Sequence, residues 1–207
     1  MPEPALPPHL EPGDAAALDD ATTVGVDLTG AVLPAVREAQ VEGSDLGRVR
    51  AVGGAWERVT LADCRLDGAD LANVVWRGGS LLRCSLREVR MTGALLTEVR
   101  LRSVLLQGVQ ATLSTWHGVQ LRGAVLRGCD LSEATFTDTV LEEVLLEDCV
   151  LTGAQLSGLR CRDVRLRGCR LDGVGGVAGL RGARIAEEDA LALLPALARE
   201  LGITIGG

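Results

Sequence analysis

The sequence is poor in the residues that usually fill a globular core or carry catalysis. Its 207 residues include no Tyr, one Phe, three Trp and two His, and all 21 basic residues are Arg. Because conventional cores rely on aromatic rings, this scarcity predicts a narrow interior of aliphatic side chains. His9 and His117 are too isolated in sequence to suggest a catalytic triad. We expect no enzymatic activity and no cofactor.

Membrane and metal signals are also missing. The sequence has no apolar run of the length that a membrane helix needs, and it does not begin with a charged-then-apolar signal segment. We therefore expect a cytoplasmic protein without membrane contact. The six Cys form no C-x-x-C pair, which is the spacing typical of zinc sites. We therefore predict no bound metal.

The most prominent feature of the chain is a five-residue repeat. From Leu46 to Leu171 every fifth residue is uncharged, and 18 of these 26 centres are Leu. Val, Ala or Cys fills 20 of the 26 positions two residues before a centre, and Gly follows a centre by two residues 12 times. A period of five matches neither a helix nor a long strand. It indicates a short extended unit with two inward side chains and a turn, which buries its apolar side by stacking.

The aromatic residues indicate four units per coil, because the positions of all four differ by multiples of four units. The predicted coil is therefore four-sided, with like side chains stacked between coils. About seven coils at ~4.8 Å per strand predict a rod of about 33 Å. The predicted core ladders are Trp56, Trp76, Trp116 and Phe136 on one face and Leu46, Leu66, Leu86, Leu106, Leu126, Leu146 and Leu166 on another.

Most of the cysteines fall on the small inward position of the repeat. Stacked inward thiols could approach disulfide distance, but in a cytoplasmic core we expect them to be free and packed. The residues concerned are Cys64, Cys84, Cys129, Cys149 and Cys169.

The unit Ala69-Asp70-Leu71-Ala72-Asn73 resembles the A-[DN]-L-x-x motif of the pentapeptide-repeat family, and the match is unbroken over residues 44–173. The resemblance implies an all-β solenoid, a right-handed quadrilateral parallel β-helix. Val and Cys often replace the small Ala of the motif, and Arg or Ser often replaces its Asp or Asn.

The pattern predicts three segments. Residues 1–20 are rich in Pro and acids and are predicted to be a disordered arm. Residues 21–185 are predicted to form the β-helix, with phase shifts near 34–38, interpreted as a small insertion or bulge, and near 173–180. Residues 186–207 are predicted to form a short α-helix, interrupted at Pro195, and a short strand at Ile203-Thr204-Ile205.

The C-terminal helix has two compatible interpretations. A solenoid end exposes its core and strand edges, so the helix is predicted to be a cap. The chain ends with Leu-Arg-Gly-Ala-Arg-Ile at 180–185 and Gly-Ile-Thr-Ile-Gly-Gly at 202–207. This ending resembles the C-terminus of actinobacterial pentapeptide proteins of the fluoroquinolone-resistance type, which implies a homodimer formed through this segment. The candidate contacts for either role are Leu191, Leu194, Leu197 and Leu201.

Charge is the remaining clue to function. Residues 1–43 carry eight acids and one Arg, a net charge of −7, whereas residues 44–173 carry 17 Arg and 16 acids, a net charge of +1. Solvent-exposed turns whose opposite charges compensate one another would explain this pattern without a binding partner. The candidate partner-binding acidic band is Asp130, Glu133, Asp138, Glu142, Glu143, Glu147 and Asp148. Two basic bands comprise Arg77, Arg83, Arg87, Arg90, Arg100 and Arg102, and Arg160, Arg162, Arg165, Arg167 and Arg170. Leu105, Val125 and Leu145 form an outward apolar stripe.

Three functions fit these features. The preferred one is a non-enzymatic interaction module, a scaffold or regulator of a protein partner. The second, implied by the resemblance, is a DNA-mimicking modulator or protector of DNA gyrase, a type II topoisomerase, with a link to antibiotic resistance; the near-neutral solenoid opposes it. The third is direct nucleic-acid binding through the Arg bands, which lacks stacking aromatics at the surface.

Overall fold

A computed structural model describes residues 4–204 as a solenoid of parallel, stacked coils. Through most of the rod a strand pairs with the strand four units further along the chain, as in the pairs of Leu106 with Leu126 and of Trp116 with Phe136. Each coil has four sides, named here faces A, B, C and D. Their first regular centres are Leu46, Ala51, Trp56 and Leu61, respectively, and every fourth unit thereafter returns to the same face. The predicted four-sided all-β solenoid is confirmed.

Three faces carry regular strands. Face A has Glu11–Pro12, Val26–Asp27, Ser85–Arg87, Leu105–Gln107, Val125–Arg127, Leu145–Glu147, Arg165–Arg167 and Arg184–Ile185. Face C has Ala35–Arg37, Leu95–Thr97, Thr115–His117 and Thr135–Thr137, and face D has Thr22–Val24, Gln40–Glu42, Arg100–Arg102, Gln120–Arg122, Val140–Glu142 and Arg160–Arg162. Ala55–Ala62 and Val75–Leu82 continue around the corner from face C to face D. Face B is joined by single bridges, from Val32–Arg50 to Val150–Arg170.

The corners explain the turn residues of the repeat. The second residue after each centre has a positive φ, between 49° and 82°, at all 26 corners from Arg48 to Gly173. Gly occupies 12 of these corners, and 14 carry other residues, mostly charged or polar. Leu113, at φ 58°, is the apolar exception and is well exposed. Side chains in the left-handed region are strained, so Leu113 stores strain that Gly would not.

The core follows the two predicted ladders. The seven Leu of face A are at most 5% exposed, and the four rings of face C are at most 6% exposed. Trp56 and Trp76 meet edge to face with ring centroids 4.9 Å apart, and Trp116 stacks on Phe136 at 5.8 Å. A narrow interior is therefore filled by Leu and by one column of rings.

The N-terminal segment differs from the predicted disordered arm. The strand Glu11–Pro12 pairs in parallel with Val26–Asp27, and Leu18 is buried in the core. Together with Thr22–Val24, the residues of this segment contact faces A, C and D and form an incomplete first coil. Composition predicted disorder because the segment is rich in Pro and acids. Its order comes from backbone hydrogen bonds to the next coil, such as the 2.9 Å bond from Gly13 N to Asp27 O.

The two phase shifts change the coil length. Val32 pairs with Arg50, which lies 18 residues further along the chain. Ala35 pairs with Ala55, which lies the regular 20 residues further along the chain. The coil that contains Pro34 is therefore two residues shorter than the regular coil, and the predicted insertion or bulge is wrong. In the last coil Leu166 pairs with Ile185, one position short of the regular step. With these end coils the rod has about eight turns instead of seven, or about 38 Å at ~4.8 Å per step.

The C-terminal segment forms the helices Glu187–Ala190 and Leu194–Glu200, joined by a 3-10 turn at Leu191–Leu193. Pro195 lies in the first turn of the second helix, where its missing amide hydrogen costs nothing. Three acids occupy the first turn of the first helix. Ile203 and Thr204 do not form the predicted strand, and Ile205 lies outside the described residues. Within residues 4–204, no helix is long and apolar enough to cross a membrane.

Candidate interaction surfaces

Charged side chains pair across neighbouring coils. Arg83 contacts Asp63, Arg90 contacts Asp70, and Arg127 contacts Glu147. In each pair the two residues are four units apart in the chain, so the spacing of the ion pairs is the spacing of the coil. Listing opposite charges at that separation would have found these pairs in the sequence, once the period was known.

The predicted acidic band encircles the rod and does not form a patch. Asp138, Glu143 and Asp148 occupy three successive corners of one coil, and Glu133 occupies the fourth. The oxygens of Asp130 accept hydrogen bonds from Ser132 within its own turn. No single flat partner could contact all seven acids, because they face every direction around the axis.

Two members of the band are already neutralised by Arg. Glu147 is paired with Arg167 and Arg127, and these hydrogen bonds hold the pKa of Glu147 below its usual range. Glu142 lies 3.3 Å from Arg162 and 3.8 Å from Arg122. The band is therefore a weaker candidate docking surface than its sequence suggested.

The two basic bands are also spread around the rod. In the first band Arg83, Arg87 and Arg90 are paired with Asp63, Asp67 and Asp70. Arg100 and Arg102 lie together on face D. In the second band Arg160 and Arg162 lie on face D, Arg165 and Arg167 on face A, and Arg170 on face B.

The outward apolar stripe is continuous. Leu105 pairs with Val125, and Val125 pairs with Leu145, along one edge of face A. All three side chains are half-buried. The stripe is narrow, because the residues beside it on face A, such as Gln107 and Arg127, are polar.

The C-terminal helices cap the rod with different residues from those predicted. Leu193, Ala196 and Ala198 are buried, whereas Leu191, Leu194, Leu197 and Leu201 are 76%, 58%, 42% and 73% exposed. Those four Leu therefore do not form the cap, and they present an apolar surface to solvent. The predicted spacing identified a helical stripe, but it could not show which side of the helix faces the rod.

Two carboxylates complete the cap, a role that the sequence did not reveal. Asp189 is buried and accepts a 2.8 Å hydrogen bond from the backbone N–H of Cys169. Glu200 accepts hydrogen bonds from the N–H groups of Val177, at 2.6 Å, and Ala178, at 3.3 Å. The two carboxylates thus satisfy three backbone amides at the C-terminal end of the rod.

The stacked Cys are structural. Each of the five inward thiols donates a hydrogen bond to a carbonyl oxygen of the preceding coil, as Cys129 does to Leu106 at 3.4 Å, and Thr139 makes the same contact to Trp116 at 2.8 Å. Hydrogen bonding with Cys129 and burial raise the pKa of Cys149 to about 12. All six Cys are free thiols. Within residues 4–204 no group of three or more potential metal ligands is found.

The void found inside the rod is too small for a substrate. The void between the levels of Trp116 and Leu180 has a volume of about 20 Å³ and is lined by apolar side chains. Ligand pockets are far larger, typically about 300–1,000 Å³. Chemistry inside the rod would require the core to open.

The geometry defines a class of protein: a filled, four-sided repeat rod whose outer faces carry its polar groups. The chain belongs to the pentapeptide repeat family, because the family model matches eight repeat copies over residues 64–102, 106–143, 117–153 and 136–173. No curated protein matches the chain.

Solved structures show distant similarity. A trypsin-treated form of QnrB1, described as a plasmid-mediated fluoroquinolone resistance protein, is 14% identical with a TM-score of 0.37, over 90% of this chain and 100% of that chain. HetL from the cyanobacterium Nostoc sp. strain PCC 7120, described as involved in heterocyst differentiation regulation, is 21% identical with a TM-score of 0.34, over 82% and 90%. Rfr23 from the cyanobacterium Cyanothece 51142 is 16% identical with a TM-score of 0.25, over 74% and 92%. These similarities are too weak to assign a function.

Proposed function

We propose that the protein is a non-enzymatic interaction module, a rod that dimerises through its C-terminal helices and scaffolds or regulates a protein partner. The observation that supports this proposal most directly is the exposed surface of Leu191, Leu194, Leu197 and Leu201. Clustered exposed Leu on a repeat protein are typical of an interaction site, since their burial is favourable.

A second copy of the chain is the occupant that fits this surface. If two such helical segments pack antiparallel about a two-fold axis near Leu194, Leu191 of one copy lies opposite Leu197 of the other. The same arrangement brings Arg199 near the acidic first turn at Glu187 and Glu188. A surface that is complementary to itself in this way is what a two-fold interface requires.

Sedimentation tests the dimer. A Leu191→Glu and Leu194→Glu double variant should sediment as a monomer, because it places charges in the apolar interface, while the wild type sediments as a dimer. Truncation after Gly182 is a poorer test, since it also removes Ile185 and Leu193, which pack against the core. The control is Leu82→Glu, a half-buried Leu on face D, which should leave the dimer intact. A monomeric wild type at high micromolar concentration contradicts the proposed dimer.

DNA gyrase is the alternative partner, but the charge arrangement argues against DNA mimicry. A mimic of duplex DNA needs acids that run along the rod, and here they encircle one coil and two of them are paired with Arg. We therefore expect no effect on gyrase supercoiling, with or without ciprofloxacin, at micromolar protein. Inhibition or protection in that assay would instead support the gyrase function.

A further inference from the structure

A group of Arg lies on face D of the middle coils, and two of its members, Arg100 and Arg102, have no acid paired with them in either neighbouring coil. Arg100 and Arg102 pair with Ser80 and Leu82 in the preceding coil and with Gln120 and Arg122 in the following coil. All three Arg side chains are exposed. Among residues 4–204, Arg100 and Arg102 make no direct ion pair, and Arg122 has only the 3.8 Å contact with Glu142. We name Arg100, Arg102 and Arg122 the face D arginine group.

This environment differs from that of several Arg on the other faces. Arg87 and Arg90 stack on Asp67 and Asp70, and Arg127 lies next to Glu147. Those positions are locally neutral. The face D arginine group therefore carries positive charge that is offset only by the 3.8 Å contact of Arg122 with Glu142.

The corner between face D and face A beside this group carries only small side chains, and we call it the low corner. In two successive coils the order is Arg, small residue, inward residue, apolar residue: Arg102-Ser103-Val104-Leu105 and Arg122-Gly123-Ala124-Val125. A Cβ added at Gly123 would lie 3.9 Å from the Ser103 hydroxyl and would meet no closer atom, so no large side chain covers this corner. The Arg side chains and the apolar stripe of face A are thus accessible to one bound segment.

We propose that the face D arginine group binds an extended acidic segment of a protein partner, which turns over the low corner onto Leu105 and Val125. The proposal rests on the proposed function as an interaction module and names the chemistry of its partner. Arg100 and Arg102 are two residues apart on one strand, about 6.8 Å, which matches alternate carboxylates of an extended peptide. Guanidinium groups suit carboxylates, with which they form paired hydrogen bonds.

Protein carboxylates fit this surface better than the phosphates of a nucleic acid. Single strands bind through a basic groove and stacking aromatics. Here the four aromatic rings are buried, and the basic group spans only two coils. The adjoining apolar side chains would have no partner on a phosphate backbone.

A nuclear magnetic resonance titration of the full chain tests the proposal. The probe is the synthetic peptide Glu-Ser-Glu-Gly-Leu-Ser-Leu, whose order copies the layout of the surface. The Nε–Hε signals of Arg100, Arg102 and Arg122, together with the amides of residues 103–105, should shift in a saturable way. Equal shifts at the paired Arg, or no saturable binding below about 1 mM, would overturn the proposal.

Matched variants separate the site from general charge. The triple variant Arg100→Gln, Arg102→Gln, Arg122→Gln should weaken peptide binding by about tenfold or more. The triple variant Arg87→Gln, Arg90→Gln, Arg127→Gln removes the same charge from neutralised positions and should weaken it by less than about threefold. Equal losses in the two variants would contradict a localised site.

Two further measurements identify the source of any failure. The first is the binding of a twelve-nucleotide oligothymidylate. If it binds the same Arg more tightly than the peptide does, the occupant of the site is a nucleic acid and the proposal is overturned. Sedimentation of the same samples reports on the dimer independently. If the protein is a dimer that does not bind the peptide, only the proposed docking surface is refuted. If it is a monomer that binds the peptide, only the proposed dimer is refuted.

Discussion

The three Trp of face C provide a sharp test of the core, because their indole N–H groups have different partners. Trp56 Nε1 donates to Leu33 O at 3.1 Å, and Trp116 Nε1 donates to the Ser114 hydroxyl at 2.8 Å. Trp76 Nε1 is buried and has no hydrogen-bond partner in the described structure. The position that Ser114 occupies relative to Trp116 is occupied relative to Trp76 by Val74. Replacing each Trp by Phe therefore removes the same indole portion but changes hydrogen bonding differently.

The expected magnitudes follow from these contacts. All three side chains are at most 1% exposed, so the loss of buried apolar volume costs each variant a similar amount, about 1–2 kcal/mol. Trp56→Phe and Trp116→Phe also lose a hydrogen bond worth about 1 kcal/mol. Trp76→Phe removes an unsatisfied donor, whose burial costs about 1–3 kcal/mol. Trp76→Phe should therefore be the least destabilising of the three, by about 2 kcal/mol or more.

Thermal melts and urea titrations of the three variants measure the difference. For a chain of this size, 1 kcal/mol corresponds to about 2–4 °C in melting temperature, so Trp76→Phe should melt at least about 4 °C above the other two. Three equal losses would refute the reasoning. They would show that Trp76 Nε1 has an acceptor in the folded protein.

Three further predictions concern the ladder, the corners and pH. Leu106→Asp should abolish the cooperative melt, because it buries an unpaired charge in the face A ladder, whereas the outward Gln107→Asp should not; an unchanged Leu106→Asp melt would refute the core assignment. Leu113→Gly should stabilise the protein by about 0.5–1 kcal/mol in a urea titration, since relief of about 1–2 kcal/mol of strain exceeds the cost of about 0.5–1 kcal/mol for ordering Gly; a loss of stability would contradict the strain. Arg partners hold the pKa values of Glu147 and Asp70 below their usual range, so the stabilisation is present above the unfolded values near pH 4 and is lost as pH falls through the lower folded values. The melting temperature should decline below about pH 4, and it should decline less steeply in Glu147→Gln. An identical decline in the variant would show that the ion pairs of Glu147 contribute nothing to stability.

Much of the fold could be predicted from the sequence because each coil repeats one local rule. A small inward residue and an apolar centre, usually Leu, recur through the units, and each unit ends in a turn, so periodicity alone identified the face A ladder and the ring column. The ends were harder to predict. Leu18 is buried in an acidic, Pro-rich segment, and the order of this segment depends on hydrogen bonds supplied by the next coil.

The candidate surfaces depended more on tertiary structure. Sequence order placed Glu142 and Glu147 in an acidic band, but stacking brought each of them next to Arg in both neighbouring coils. Helical spacing identified the stripe through Leu194, but only packing showed that Leu193 and Ala196 face the rod.

The sequence by itself determined the repeat unit, the four-sided coil and the identity of the core residues, because these depend on contacts within a coil and on a constant period. Tertiary structure decided which charges are neutralised, where the coil shortens and which helix face is exposed. Those features depend on groups that are distant in sequence, and their partners are set by how the coils stack.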